Sequence, residues 1–335
     1  MLRIHFTRED VARVRVAPGP DPLWEITNSY QALITEGNAP VFGEWRRLVR
    51  PRLPAAGRLL GLLLPPQGYS PDFLTPDLRG HDELEGGVDT VLATPRPVLH
   101  RDLGRLAASR RGSPSVPSEI RALADGDLTT LHRLRTALLT HHRYALAPFW
   151  THIRAQLDAD RALRGRAVME GGTDGLLAGF RPLLRWRPPV LEADYPVHRE
   201  LRLDGRGLLL QPSFFCVRRP VMLADPDLPP VLVHPVQHTP GWARRARGLP
   251  EHHTPLAALI GRTRAALLTE AATGRTTGEL ARRLRISDPA ASYHTAVLRR
   301  AGLVLSIRHG KTVVHTITPA GLALLHGSVG TGPGG

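Results

Sequence analysis

Cysteine is almost missing from this chain: Cys216 stands alone, so neither an intramolecular disulfide nor a cysteine-rich zinc site can form. That usage suits a reducing compartment, and a cytoplasmic location is expected. Lysine is equally scarce, since of the 44 basic residues all but Lys311 are arginine. With abundant Ala, Gly, Pro and Leu, the skew matches the codon usage of a GC-rich genome. The formal charge of +14 and the pI near 11.2 favour a polyanionic partner, but on their own they are weak evidence for one. Long apolar runs are lacking. The longest, Leu59 to Leu64, ends in Pro65-Pro66 and is far too short to span a bilayer, and no secretory signal opens the sequence, so no membrane association is expected. A Walker-type phosphate loop, a dinucleotide glycine fingerprint and a paired-histidine zinc helix are all missing. The expectation is therefore a protein that is not an enzyme, with no catalytic residues, no metal site and no cofactor.

At 335 residues and 42% hydrophobic content the chain exceeds what one core usually fills. Near the start, Leu2, Ile4 and Phe6 alternate with Arg3 and His5 as a half-buried strand, and Thr7 with Asp10 reads as the cap of a short helix. Leu23 to Ile34 reads as helix, residues 65–80 and 109–118 as loops. Ser118 to about Phe180 is strongly helical, including Leu128 to Ala147 and Trp150 to Gly165. Thereafter Val190 to Leu203, Gly207 to Val217 and Val231 to Val236 are β-prone and separated by Asp-Gly or Pro pairs. The fold class is α+β: residues 1–240 form a mostly helical region with a small β-rich segment, 241–253 a linker, 254–326 a second domain and 327–335 a flexible tail.

The second domain carries the most specific pattern. Thr276-Thr277-Gly278-Glu279 is a capping box, and Leu280 and Leu284 beside Ala281 form a packing face from which Arg282, Arg283 and Arg285 project. Ser287-Asp288-Pro289 then starts another helix that runs to Ala301-Gly302. Ala291 and Leu298 face inward with Val297 beside them, leaving Ala290, Ser292, Tyr293 and Arg299 on or near the outer side. Leu303 to Ile307 and Thr312 to Ile317 are β-prone runs joined by Arg308-His309-Gly310-Lys311. Helix, turn, helix and hairpin in this order make a winged helix-turn-helix, whose second motif helix enters the major groove of duplex DNA. Residues 251–325 hold ten basic against four acidic residues, more than twice the positive charge per residue of the preceding region. The candidate DNA contacts are Thr277, Ser287, Ala290, Ser292, Tyr293, His294, Arg299, Arg308, His309 and Lys311.

The residues Ser287, Ser292-Tyr293-His294-Thr295, Leu298-Arg299 and Ala301-Gly302-Leu303-Val304 resemble, in register and order, the DNA-binding module of ArsR-type winged-helix regulators. The resemblance spans about residues 254–325. Thr295 departs from it, since the family places leucine there, and looser local packing is expected. The cysteines of metal-sensing members are missing, so metal sensing is not carried over. Phrases such as Leu2 to Thr7, Leu183 to Pro189 and Gly207 to Ser213 also resemble actinobacterial regulators in which a long N-terminal region precedes such a module.

Other candidates have bland explanations. Asp158 and Asp160 lie two apart on a helix and point apart, which suits a solvated face better than a carboxylate dyad. His141-His142 and His252-His253 are read as surface or cap histidines, and Tyr144, Phe149 and Trp150 as core rather than a ligand pocket. Cys216 beside Phe214-Phe215 is read as a buried strand residue. The resulting expectation is a transcriptional regulator, a repressor, that binds a palindromic operator as a homodimer, with a small-molecule effector left open. One alternative is a ligand-binding or enzymatic N-terminal domain with an autoregulatory winged helix. Another is an architectural or protein-interaction adaptor.

Overall fold

The alternating start of the chain forms a strand with Leu2 and Ile4 buried and Arg3 and His5 half-buried. This is seen in a computed structural model, which describes every residue except 36–38, 55–56, 67, 78–82, 111–115, 218, 240, 248–254, 310–311 and 327–335. The chain divides into two units, Met1–His238 and Thr239–Gly335.

Strands of the N-terminal unit are β1 (Leu2–His5), β2 (Val14–Val16), β3 (Leu184–Arg187), β4 (Val190–Ala193), β5 (Arg199–Arg202), β6 (Leu208–Ser213), β7 (Val221–Met222) and β8 (Val231–Pro235). They make two sheets. In the first, of order β3-β4-β1-β5, β1 is antiparallel to β4 and parallel to β5. In the second, of order β2-β6-β8-β7, β6 is parallel to both β2 and β8 while β7 is antiparallel to β8. The first strands thus pair with segments almost two hundred residues away.

Alternation along β6 explains how the second sheet is covered on both faces. Leu208 and Leu210 join Leu2, Ile4, Trp186, Leu191 and Leu232 in one core, while Leu209 turns toward a second cluster of Trp24, Cys216, Val231 and Val233. Each fully buried leucine of this kind stabilises the fold by roughly 1.5–3 kcal/mol.

The helices are α1 (Arg8–Ala12), α2 (Pro22–Ile34), α3 (Ala39–Val49), α4 (Arg58–Leu63), α5 (Leu84–Leu92), α6 (Arg96–Ser109), α7 (Ser118–Ala124), α8 (Leu128–His141) and α9 (Trp150–Ala178). Thr7 and Asp10 form the expected reciprocal cap of α1, and the second oxygen of Asp10 accepts from the Gly207 amide at 2.9 Å. Among the described residues no helix is long and apolar enough to cross a membrane.

Four expectations are revised. The helix expected to continue from Leu128 to Ala147 changes character after His141, passing through a wide turn at His142–Leu146 and a tight one at Ala147–Phe149. Pro148, which cannot donate an amide hydrogen, lies in the tight turn. His141 is buried rather than at the surface, because Leu134, Ala137, Leu138 and His141 follow the helical period and share one inward stripe. Its Nε2 lies 2.8 Å from the Ser29 hydroxyl. Since that hydroxyl already donates to the Ile26 carbonyl, the imidazole is the donor. Asp160 is not solvated: it pairs with Arg164 at 3.0 Å in a largely buried site that His234 approaches at 3.9 Å. Finally, the expected linker holds a short helix, α10 (Trp242–Ala246), in which Trp242 is fully buried. The rest of that linker from residue 248, His252-His253 and the expected tail all lie outside the described residues.

Candidate nucleic-acid interface

The C-terminal unit continues with α11 (Pro255–Ile260), α12 (Arg262–Glu270), β9 (Arg275–Thr276), α13 (Thr277–Leu284), α14 (Asp288–Arg300), β10 (Val304–His309), β11 (Thr312–Ile317) and α15 (Pro319–His326). Leu256, Leu267, Leu268, Leu280, Leu298, Val304 and Ile317 make its core. The Thr276 amide donates to Glu279 Oε2 at 2.8 Å and the Glu279 amide to Thr276 Oγ1 at 3.3 Å, the capping box read from the sequence. These hydrogen bonds hold the Glu279 carboxyl below its usual range.

Both motif helices end in the same way. At the end of α14 the Leu303 amide bonds the Leu298 carbonyl and the Gly302 amide bonds that of Arg299, with Gly302 at φ 72°. At the end of α13 the Ile286 amide bonds Ala281 and the Arg285 amide bonds Arg282, yet the residue at φ 53° is an arginine. This closure compresses the turn between the helices to Arg285-Ile286-Ser287. Ser287 then caps α14, its hydroxyl accepting from the Ala290 amide at 3.3 Å with Pro289 in the first turn.

The faces of α14 follow from this entry. Ala291, Thr295 and Leu298 are buried. Thr295 is accommodated without a void partner for its hydroxyl, which donates to the Ala291 and Ser292 carbonyls at 2.8 and 3.0 Å. Ser292, Tyr293 and Arg299 are exposed, with Tyr293 58% open to solvent, and Ala290 is half-buried. The His294 ring lies edge-on to Tyr293 at 5.3 Å between centroids, and its Nδ1 is buried with no hydrogen-bond partner among the described residues. Ser292 and Tyr293 therefore share one open face, flanked by Arg299 and Arg300 at the C-terminal end of α14.

The wing is the antiparallel pair β10–β11, extended by β9. Arg308 is exposed on β10 and pairs in register with Val313, and His309 is the last residue of β10. Gly310 and Lys311 lie outside the described residues. On the inner side of the hairpin Ser306 and His315 face each other, and Thr277 reaches the same imidazole from α13. Thr277 is thus engaged within the fold by a contact that the sequence reading had not singled out. The signal for His315 was its place in the alternation of β11, level with buried Ile317. Arg282, Arg283 and Arg285 are all exposed, as expected, and Arg283 also pairs with Glu270 at 2.6 Å. At α15, a Cβ on Gly321 would lie 2.2 Å from the Leu303 carbonyl oxygen, so only glycine lets that helix close over the start of the wing.

Comparison with curated proteins and with solved structures gives no match. Residues 259–307, from the end of α11 into β10, match the family described as a helix-turn-helix domain, and this part of the chain is a helix-turn-helix DNA-binding domain.

Proposed function

We propose that the protein is a cytoplasmic transcriptional repressor of the ArsR-like type, without catalytic activity, that binds a palindromic operator as a homodimer through its C-terminal winged helix. The reading rests chiefly on the open Ser292–Tyr293 face of α14, with Arg299 exposed near the end of that helix and Arg308 exposed on the wing. Small and polar residues let a helix sit deep in a major groove, and flanking guanidinium groups suit backbone phosphates. One such helix contacts only a few base pairs, so useful selectivity calls for two modules on half-sites about one helical turn apart.

The test is selection of bound duplexes from a random pool by the full chain, with light scattering on the free protein and on its selected complex. A discrete inverted repeat bound by two chains is the expected result. Recovery of unrelated sequences with equal affinity would overturn the specific-operator reading, and a single chain on an asymmetric site would overturn the dimer. Transcription from a promoter that overlaps the selected site is expected to fall when the protein is added. A rise would overturn repression.

A further inference from the structure

The N-terminal unit holds a cavity of about 750 Å³, within the range of sites for small organic molecules. It is bounded by the segment leading into α2, the turn that contains Phe73, the corner between α5 and α6, and the face of β6 and β8 that carries Leu209 and Val231. Its wall is mostly apolar and includes the rings of Trp24 and Phe73. Tyr144, Phe149 and Trp150 are not part of it.

Carboxylates and arginines both line the chamber, and most of them are already held by the protein. Asp72 accepts from the Ala224 and Asp225 amides at 2.9 and 2.8 Å, and Asp102 from the Phe73 amide at 2.9 Å. Arg101 lies 3.2 Å from Asp102 and 2.6 Å from Asp225. Arg206 donates to the carbonyls of Leu203 and Arg202 at 2.9 and 2.8 Å, and Asp77 also has a partner. At the rim Arg15 and Asp227 are exposed and opposite in sign, so the rim selects neither a cation nor an anion. Uncharged polar groups are engaged too. The Thr94 hydroxyl donates to the Val91 carbonyl at 2.7 Å, and the Gln211 side-chain amide to the carbonyls of Gly19 and Pro212 at 3.3 and 3.1 Å.

Asp21 differs. Its Oδ1 caps α2 by accepting from the Leu23 and Trp24 amides at 2.9 and 3.1 Å, while Oδ2 accepts no hydrogen bond from the described residues. The residue is half-buried and lines the cavity. Burial raises its carboxyl to about 6, although both amides pull it down. An ionised carboxylate oxygen can only accept, so what meets Oδ2 has to donate. A donor arriving there restores part of the hydration that burial removed.

We infer that this cavity binds a small uncharged molecule with an apolar body and an O–H or N–H group, the donor set on Asp21 Oδ2 and the body against Trp24 and Phe73. An apolar body gains by leaving water for such a wall. A neutral donor gives up its hydration at far smaller cost than a charged group, and at Asp21 it meets an ionised acceptor, which makes the stronger kind of hydrogen bond. A cation would lose its hydration for one carboxylate oxygen, and an anion would face that oxygen directly. The inference concerns the N-terminal unit alone and is independent of the DNA reading.

The test uses calorimetry on the full chain at about pH 7.5, where the Asp21 carboxylate is ionised, with probes built on one naphthalene body and substituted at the same ring carbon. Naphthol carries the donor, methoxynaphthalene lacks it, and naphthylmethylammonium and naphthoate carry opposite charges. Naphthol is expected to saturate one site per chain, about tenfold or more tighter than each of the others. Asp21→Asn keeps Oδ1 for the helix cap and puts an amide donor where Oδ2 stood, so the preference for naphthol over its methyl ether is expected to vanish at unchanged melting temperature. No saturable binding of naphthol, equal affinity for the methyl ether, tighter binding of either ion, or a preference that survives Asp21→Asn would each overturn the inference.

Discussion

The Thr277 hydroxyl lies 2.9 Å from Nε2 of His315, so the first residue of α13 is tied to the second strand of the wing. The other ring nitrogen, Nδ1, is 2.9 Å from the Ser306 hydroxyl on β10. One buried imidazole thereby joins the start of a motif helix to both strands of the hairpin. Burial lowers the pKa of His315, and the charge of Arg299 lowers it further, so the ring is neutral at neutral pH.

His315→Leu is expected to lower the stability of the C-terminal unit by about 1–3 kcal/mol, because two hydroxyls lose their partner in a partly buried place. Thr277→Ser keeps the hydroxyl and should be nearly neutral, whereas Thr277→Val should reproduce part of the loss. Thermal melting of the full-length variants measures all three. A His315→Leu variant as stable as the parent would show that the tie contributes nothing.

Tyr293 and Ala291 separate DNA readout from packing. Tyr293→Ala should leave the melting temperature unchanged and alter preference at one half-site position, at a cost of roughly 1–3 kcal/mol. Ala291→Asp should unfold the domain, since it puts a charge where the parent residue is fully buried. Melting paired with duplex selection distinguishes the two, and equal loss of stability would reverse the assignment of faces.

The shared closure of α13 and α14 makes opposite predictions for its two central residues. Gly302→Ala should destabilise by about 1 kcal/mol, since the position needs a left-handed backbone. Arg285→Gly should relieve strain and stabilise by up to about 1 kcal/mol. If the exposed Arg285 also meets a phosphate, the same change lowers the dependence of DNA affinity on salt by about one unit of logarithmic slope. Urea unfolding and salt titration read the two effects separately.

Acid is expected to weaken the N-terminal unit through His141 and His234. Burial holds them at about 3 and about 4, well below the ordinary histidine value. As pH falls below that ordinary value, the unfolded chain takes up protons that the folded state refuses. The stability they preserve is therefore present above about pH 6.5 and is lost on the way down toward pH 4, at up to about 1.4 kcal/mol per pH unit for each residue. Urea midpoints at about pH 7 and about pH 5 measure the loss, and His141→Gln, which keeps a donor for Ser29 but cannot titrate in this range, should reduce it. An equal acid dependence in that variant would rule His141 out as a contributor.

Local chemistry was enough to read most of the C-terminal unit from the chain. A capping box, a serine before Asp-Pro, a glycine after Ala301 and two alternating runs each depend on residues within a few positions of one another, so their geometry is implicit in the sequence. The N-terminal pairings are of another kind. Nothing near Leu2 or Val14 indicates that β1 will lie between β4 and β5, or that β2 will pair with β6, because that choice is made by which apolar faces close one common core. Tertiary packing likewise buried His141 against Ser29 and joined His315 to Thr277. Hydrogen bonds and burial between residues far apart in the chain leave no periodic trace in it, and only the folded backbone brings their partners within reach.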